Sequence, residues 1–194
     1  MLNKIKKVMF NPSGFFSKLK EKSVKNAFIY LAFIAAVYAV LYAVMSIIFV
    51  SLVGEITGPF QYIYPTVYAV GAWLIILMSA VSYGITLGLS FLWGAVLHLW
   101  LMIWGVKSDY KKTYQLYVYG NTPSIVLGWI PFVNFIIWIW SMIILIVGTM
   151  KVYGTSKTKA TWIYLLPIII LGGIFALGMI LFFTTITYTA QMMQ

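Results

Sequence analysis

Long apolar runs separated by short polar stretches dominate this sequence. The first, from Ala27 to Val53, holds 27 residues without a charge, which suffices for a helix across a hydrocarbon core of about 30 Å. Further runs extend over residues 67–105, 114–150 and 161–183. The pattern predicts an all-α fold, a polytopic membrane helix bundle.

The polar stretches between these runs carry a simple charge code. All 13 basic residues are lysines, and they lie at residues 4–25, 107–112 and 151–159. Because short cytoplasmic loops retain lysine whereas translocated loops do not, the three clusters indicate three places where the chain is in the cytoplasm. The N-terminus is therefore predicted to be cytoplasmic and the C-terminus to lie outside.

This code predicts five transmembrane helices. The run at residues 67–105 would form a helix of roughly 58 Å, twice the hydrocarbon thickness, but two crossings within it would put the lysines at 107–112 outside. We therefore expect one crossing, preceded by an interfacial or re-entrant piece at about 68–78; two ordinary spans are the alternative. The predicted spans are about 27–53, 82–105, 114–130, 132–150 and 161–183, within a single transmembrane domain over residues 27–194.

Residues 1–26 are predicted to form a cytoplasmic, amphipathic, basic N-terminal segment. Leu2, Ile5 and Val8 recur at helical spacing opposite lysines, and Pro12 can open a second short helix. Both helices would lie in the inner headgroup layer, although a disordered basic tail also fits the composition. Seven lysines are the predicted contacts to anionic lipid headgroups: Lys4, Lys6, Lys7, Lys18, Lys20, Lys22 and Lys25.

Composition narrows the functional classes. Charged residues make up only 8% of the chain, against roughly a quarter in soluble domains, so lipid must surround most of it. The net charge of +10 indicates anionic lipids rather than nucleic acid, because the lysines flank apolar spans. Cysteine is absent, and the three acids, Glu21, Glu55 and Asp109, fall in polar segments. We therefore expect no enzymatic activity, no cofactor and no metal site.

Four polar residues form a candidate intramembrane polar cluster: His98, Asn121, Thr122 and Asn134. Burying an amide is costly unless it is paired, so these side chains could clamp neighbouring helices or line a small pocket for a lipid or peptide. Convergence of all four on one cavity would favour transport. Ser90 lies eight residues from His98, about 80° away around a helix, which argues against a hydrolytic pair.

Small and aromatic residues suggest helix packing and membrane boundaries. Ala80, Gly84 and Gly88 are four residues apart, as are Gly172 and Ala176, a spacing that permits close helix approach within one chain or between two copies. An interfacial aromatic belt accounts for tyrosines and tryptophans near the predicted span ends: Tyr62, Tyr64, Trp104, Tyr110, Tyr114, Trp129 and Trp162.

Several ordered motifs resemble those of the Yip-domain family, five-span membrane proteins named for interaction with Rab-type GTPases. They are Phe10-Asn11-Pro12-Ser13-Gly14-Phe15-Phe16; Tyr110-Lys111-Lys112-Thr113-Tyr114, leading through Tyr119 to Thr122-Pro123; Ile130-Pro131; Trp138-Ile139-Trp140-Ser141; and Val147-Gly148, followed by Tyr153-Gly154-Thr155-Ser156 and Lys159-Ala160. The family-motif positions are Pro12, Phe15, Phe16, Pro123, Pro131, Gly148 and Ala160. The likeness is to the prokaryotic branch, and it implies a non-enzymatic protein that associates with other membrane proteins and organises the bilayer.

The expected function is accordingly that of a multi-pass protein of the cell membrane with an interaction or membrane-organising role. Its expected partners are anionic lipids of the inner leaflet and other membrane proteins. Association with further copies of itself is a further hypothesis. A small channel, a permease or an accessory subunit of a membrane export complex is the alternative hypothesis.

Overall fold

The computed structural model describes residues 1–19, 23–56, 64–130 and 132–192. Within these ranges the chain forms eight helices and no strand, which confirms the all-α prediction. The helices are α1 (Leu2–Phe10), α2 (Pro12–Ser17), α3 (Val24–Ile56), α4 (Tyr64–Ile103), α5 (Tyr110–Gly120), α6 (Thr122–Leu127), α7 (Asn134–Tyr153) and α8 (Lys157–Met192).

Four of the described helices are long and apolar enough to cross a membrane. These candidate spans are Val24–Phe49, Gly71–Ile103, Asn134–Tyr153 and Lys157–Ile186. They confirm the membrane-protein character of the chain. The predicted count of five spans is not confirmed, and the orientation of the two termini stays a prediction.

Helix α4 corrects one detail of the predicted topology. It runs without a break from Tyr64 to Ile103, so no turn separates residues 68–78 from the predicted crossing or divides the run into two ordinary spans. The reason is local: no proline follows Pro65 in this helix, and a glycine inside a helix costs only about 1 kcal/mol. Whether 68–78 lies at the membrane interface stays a prediction.

The predicted span at 114–130 is instead divided between two short helices, α5 and α6, of 11 and 6 residues. Asn121 separates them, and Pro123 lies in the first turn of α6, where its missing N–H interrupts the helical hydrogen bonds. Neither helix alone is long enough to cross a bilayer. This break is why neither α5 nor α6 is among the four candidate spans, and the count of five is left unconfirmed.

Helices α5 and α6 nevertheless follow α7 together as one antiparallel partner. Three contacts define the register: Leu116 with Gly148, Gly120 with Leu145, and Ser124 with Ser141. The residue numbers rise along α5 and α6 as they fall along α7, which is the register of an antiparallel pair. A Cβ added at Gly120 would collide with the Leu145 side chain, so this glycine permits the close approach.

Helix α5 lies at the centre of the fold, in contact with α3, α4 and α7. Its Tyr114, Leu116 and Tyr119 are fully buried. Helix α8 is the opposite case: Ala160 and Ile163 near its start are buried, but every residue from Ile169 to Ile186 is exposed. The bundle is thus packed around α5 and leaves most of α8 uncovered.

Candidate functional site

The N-terminal segment, residues 1–19, packs on the bundle. Asn11 caps α2 by accepting a hydrogen bond from the Gly14 N–H at 2.9 Å, and Val8 and Phe16 are buried. Phe16 lies against Gly148, whereas the carbonyl of Met9 accepts a hydrogen bond from the Trp140 indole at 3.2 Å. Positions 140 and 148 of α7 are about 12 Å apart along its axis.

The N-terminal segment therefore follows α7 toward its start. Helices α1 and α2 thus pack on the protein, and their location in the headgroup layer stays a prediction. The predicted apolar face of α1 is partly right, because Val8 and Met9 are buried while Leu2 is 77% exposed.

Lys4 is the clearest departure from the predicted lipid contacts. Its ammonium donates a hydrogen bond to the Tyr119 hydroxyl at 2.7 Å and lies 4.5 Å from the Tyr119 ring centroid and 5.5 Å from that of Tyr30. The Tyr30 hydroxyl is 3.1 Å from the hydroxyl of Thr122. Lys4 is thus engaged inward by a tyrosine pair, an arrangement that stabilises a cation by hydrogen bonding and by ring electrostatics.

The other predicted headgroup lysines behave differently. Within the described part of the chain Lys6, Lys7, Lys18 and Lys25 are exposed, so their ammonium groups are available to anionic headgroups. Lys20 and Lys22 lie outside the described residues.

His98 belongs to a hydroxyl cluster that joins three helices near the end of α4. Its Nδ1 lies 3.1 Å from the Thr113 hydroxyl of α5 and 3.1 Å from that of Ser108. The Thr113 hydroxyl is also 2.8 Å from the Tyr153 hydroxyl of α7. Ser90 pairs instead with Tyr114 at 3.0 Å, so no Ser90–His98 hydrolytic pair forms.

The four residues of the predicted polar cluster do not converge. His98 contacts Thr113 and Ser108, Thr122 contacts Tyr30, and Asn134 is exposed at the first residue of α7. Only Asn121 lines the cavity of about 270 Å³ that lies among α3, α4, α5 and α6. The polar-clamp hypothesis is supported for His98 and Thr122, and a shared transport path through all four residues is not.

Several family-motif positions meet at one place, where the N-terminal segment docks. Phe15 packs edge-on against Tyr119 with ring centroids 5.0 Å apart, and atoms of Phe16 would lie 3.0 Å from a Cβ added at Gly148. Pro12 begins α2. Of the remaining positions, Pro123 starts α6 and Ala160 is buried at the start of α8; Pro131 lies outside the described residues.

Sequence reasoning missed the buried tyrosines. Tyr114 was expected in an interfacial belt, but it is fully buried and paired with Ser90. Tyr30 was not singled out, and Tyr119 was named only as part of a family motif. A signal existed in α5, which is polar although apolar runs surround it. In lipid, such a segment must find its hydrogen-bond partners inside the protein.

The glycine pattern also needs correction. No side chain or neighbouring helix in the described ranges comes within 4 Å of a Cβ added at Gly84, Gly88 or Gly172. Close packing within the chain at these positions is therefore wrong, whereas Gly94, Gly120 and Gly148 do meet neighbouring helices. Self-association through the open glycines stays a prediction.

Apart from the Lys4 ammonium, the inward-facing polar contacts of the site are centred on hydroxyl groups rather than on charged side chains. Among the described residues no group of three or more His, Asp or Glu side chains could hold a metal ion. The buried polar side chains mainly link helices to one another.

An all-helical bundle with long apolar helices and a polar, internally hydrogen-bonded centre defines an integral membrane protein. The Yip1 domain family model matches residues 6–180, which is most of the chain, and the protein therefore belongs to the Yip1-domain family. The resemblance seen in the sequence motifs is confirmed. No match was found among curated proteins or among solved structures.

Proposed function

We propose that this protein is a non-enzymatic interaction protein of the cell membrane, which binds other membrane proteins and organises them in the bilayer. The observation that carries the proposal is α8. It has the highest mean hydropathy of the four candidate spans, 2.7, and none of its most apolar window is buried. Its exposed length, residues 169–186, is about 27 Å long, enough to present a helix surface through most of a hydrocarbon core.

The small residues of this exposed length suit helix association. Between lipid-exposed helices there is little hydrophobic driving force, so close contact depends on small residues that let backbones approach. Gly172 and Gly173 have open space around them, and Ala176 follows one turn later. A partner helix, from another membrane protein or from a second copy, could pack there.

The same proposal includes five crossings. Because α5 and α6 follow α7 from Gly148 to Ser141 and beyond, the broken pair extends through much of the same depth as the α7 span. Counting the pair as one interrupted crossing restores agreement with the lysine clusters. It puts the N-terminus in the cytoplasm and the end of α8 outside.

Exposed lysines supply a second type of contact. Lys6, Lys7, Lys18 and Lys25 together with the clusters at 107–112 and 151–159 would bind the anionic inner leaflet, each worth about 1 kcal/mol near the surface. This attraction would hold the N-terminal segment close to the membrane in which the partners reside.

Photo-crosslinking in native membranes tests the proposal. A photoreactive residue at Leu177 of α8 should yield crosslinks to other membrane proteins or to a second copy, whereas one at Val40 of α3 should yield mainly lipid adducts. The two positions are 63% and 64% exposed, so exposure does not separate them. Crosslinks at neither position, with recovery only as an isolated monomer, would contradict an interaction role.

Single-cysteine labelling tests the five crossings, because the chain has no cysteine of its own. Lys107 and Phe132 are exposed on either side of the α5–α6 pair. Lys107→Cys should react with an impermeant maleimide only from the cytoplasmic side, and Phe132→Cys only from outside. Labelling of both from one side would show that α5 and α6 do not complete a crossing.

The alternative of a channel, permease or export subunit is less well supported, because the four polar residues expected to line a path lie in separate places. Ion or dye flux in liposomes checks it. Flux that falls in both His98→Ala and Asn121→Ala would restore the transport hypothesis.

A further inference from the structure

The cavity among α3, α4, α5 and α6 lies at the depth of the candidate spans. Its lining on α3 falls between Leu31 and Ala39, and its lining on α4 between Ser82 and Ser90, both inside candidate spans. Helix α4 packs on α3 and α5, while α6 packs on α3 and α7. Because α4 and α6 make little contact with each other, we place the opening of the cavity between these two helices, toward the bilayer.

The cavity wall carries hydroxyls that have no partner among the described residues. Four of them, on Tyr38, Tyr83, Thr86 and Tyr117, make no hydrogen bond there, and all four residues line the cavity. Asn121 donates from its side-chain amide to the Tyr117 carbonyl at 2.8 Å, which leaves its side-chain oxygen as an acceptor. Polar groups without a hydrogen-bond partner raise the free energy of a protein in hydrocarbon. A bound molecule that forms hydrogen bonds with this wall would therefore be favoured.

The wall also limits the charge of that occupant. None of its residues is a lysine, histidine, aspartate or glutamate, so a charged headgroup would enter without a counter-ion, which is strongly unfavourable at this depth. A neutral group with hydroxyls and carbonyls matches the mixed donors and acceptors. Apolar side chains, including Leu31, Ala35 and Ile125, complete the wall and favour a molecule with an apolar part over water alone.

The volume decides how much of a lipid can enter. About 270 Å³ corresponds to roughly nine water molecules at about 30 Å³ each, which is room for a polar end but not for acyl chains. The chains would leave through the gap between α4 and α6. We propose that this cavity binds the glycerol end of a neutral, hydroxyl-bearing lipid of the diacylglycerol class.

The test is photolabelling of the full-length protein in phosphatidylcholine nanodiscs by a diacylglycerol that carries a diazirine near its ester groups. Labelling should saturate, should map to α4 and α6, and should be competed by unlabelled diacylglycerol but not by anionic phosphatidylglycerol. Equal competition by phosphatidylglycerol would overturn the neutral-lipid assignment.

Two alanines on α3 give a matched pair of variants. Ala39 lines the cavity and Ala36 is exposed outside it, so Ala39→Phe should lower labelling at least tenfold and Ala36→Phe should leave it unchanged. Equal labelling of both variants would overturn the proposal.

Removal of hydroxyls at constant volume gives a second, independent test should Ala39→Phe fail to fold. The double variant Thr86→Val, Tyr117→Phe should lower labelling several-fold while the protein stays folded. Unchanged labelling in the double variant would mean that the wall hydroxyls do not hold the lipid, and no saturable labelling of the native protein would mean that water alone fills the cavity; either result would overturn the proposal. None of these outcomes depends on a protein partner, so the interaction function can fail or hold separately.

Discussion

Helices α5 and α8 form the sharpest contrast in the molecule. Helix α5 contains Lys111, Lys112, Thr113 and Gln115, and its residues from Thr113 to Leu116 are all buried. Helix α8 is almost wholly apolar, and its residues from Ile169 to Ile186 are all exposed. The more polar helix occupies the centre and the more apolar one the periphery, the reverse of a water-soluble protein.

Lipid as solvent explains the reversal. Apolar side chains lose nothing by facing acyl chains, so α8 gains little by being covered, whereas hydroxyls and amides must find partners inside the protein. In lipid, the hydroxyl pairs around α5 therefore determine which helix surfaces pack together, as the burial of apolar side chains does in water. Substitutions at matched positions on the two kinds of helix test this explanation.

The largest effect is expected from Gly148→Leu. The added side chain would collide with Leu116 and Phe16, and overpacking of this kind costs about 1–3 kcal/mol; we expect the upper end because both neighbours are buried. Gly172→Leu is the control, since that glycine has open space. The free energy of unfolding in mixed micelles should fall only for Gly148→Leu, and equal losses would show that α8 is packed as well.

A smaller loss is expected from Thr113→Val, which keeps the shape but removes the hydroxyl shared by His98 and Tyr153. Leaving buried polar partners unpaired costs about 1–3 kcal/mol, and we expect about 2 kcal/mol. Thr161→Val on α8 is the control, because that hydroxyl bonds only its own helix, at the Lys157 carbonyl. The free energy of unfolding is measured in the same way. If Thr113→Val leaves it unchanged, the hydroxyl cluster does not stabilise the fold.

In Lys4→Met, the free energy with which the N-terminal segment docks on the bundle should become about 1 kcal/mol less favourable. This is the typical magnitude of a cation–π contact. A single cysteine at Val8, which is fully buried, reports the docking through its maleimide reaction rate. That rate should rise about fivefold in Lys4→Met and stay unchanged in Lys6→Met, whose lysine is exposed. Equal rates in both variants would place Lys4 among the surface lysines after all.

The smallest effect is expected from Ser141→Ala, which removes the 2.8 Å hydroxyl contact with Ser124 and the 3.2 Å hydrogen bond that the Ser141 hydroxyl accepts from the Ser124 N–H, both between α6 and α7. Hydrogen bonds between membrane helices average about 0.6 kcal/mol. The unfolding free energy should fall by about that amount, and a loss several times larger would mean that this one pair, rather than the glycine contacts, holds α6 to α7.

Much of the fold follows from local patterns. The break at Pro12 was visible because proline removes a backbone donor, and the helical character of every long run followed from its hydropathy. Pro123 carries the same local signal, but the predicted span at 114–130 took no account of it. An unbroken α4 was missed because charge rules constrain how often a chain crosses and do not say where a helix begins.

The candidate site was less predictable. His98, Asn121, Thr122 and Asn134 were grouped because they are polar residues in or beside apolar runs, yet each has a different environment. Lys4 was assigned to the headgroups by its charge, although Tyr119 and Tyr30 receive it. Such pairings join residues about a hundred positions apart in sequence, and periodicity within one helix carries no information about them.

Hydropathy, proline breaks, charge clusters and ordered motifs are properties of local segments, and they were enough to predict a helical, membrane-embedded protein that resembles the Yip-domain family. The folded structure was needed to show that polar α5 is central, that Lys4 points inward, that α8 is uncovered and that a hydroxyl-lined cavity exists. Those features depend on which surfaces meet. In lipid, that outcome is set by the pairing of polar groups and by the close approach of glycines across helices, which a linear pattern does not specify.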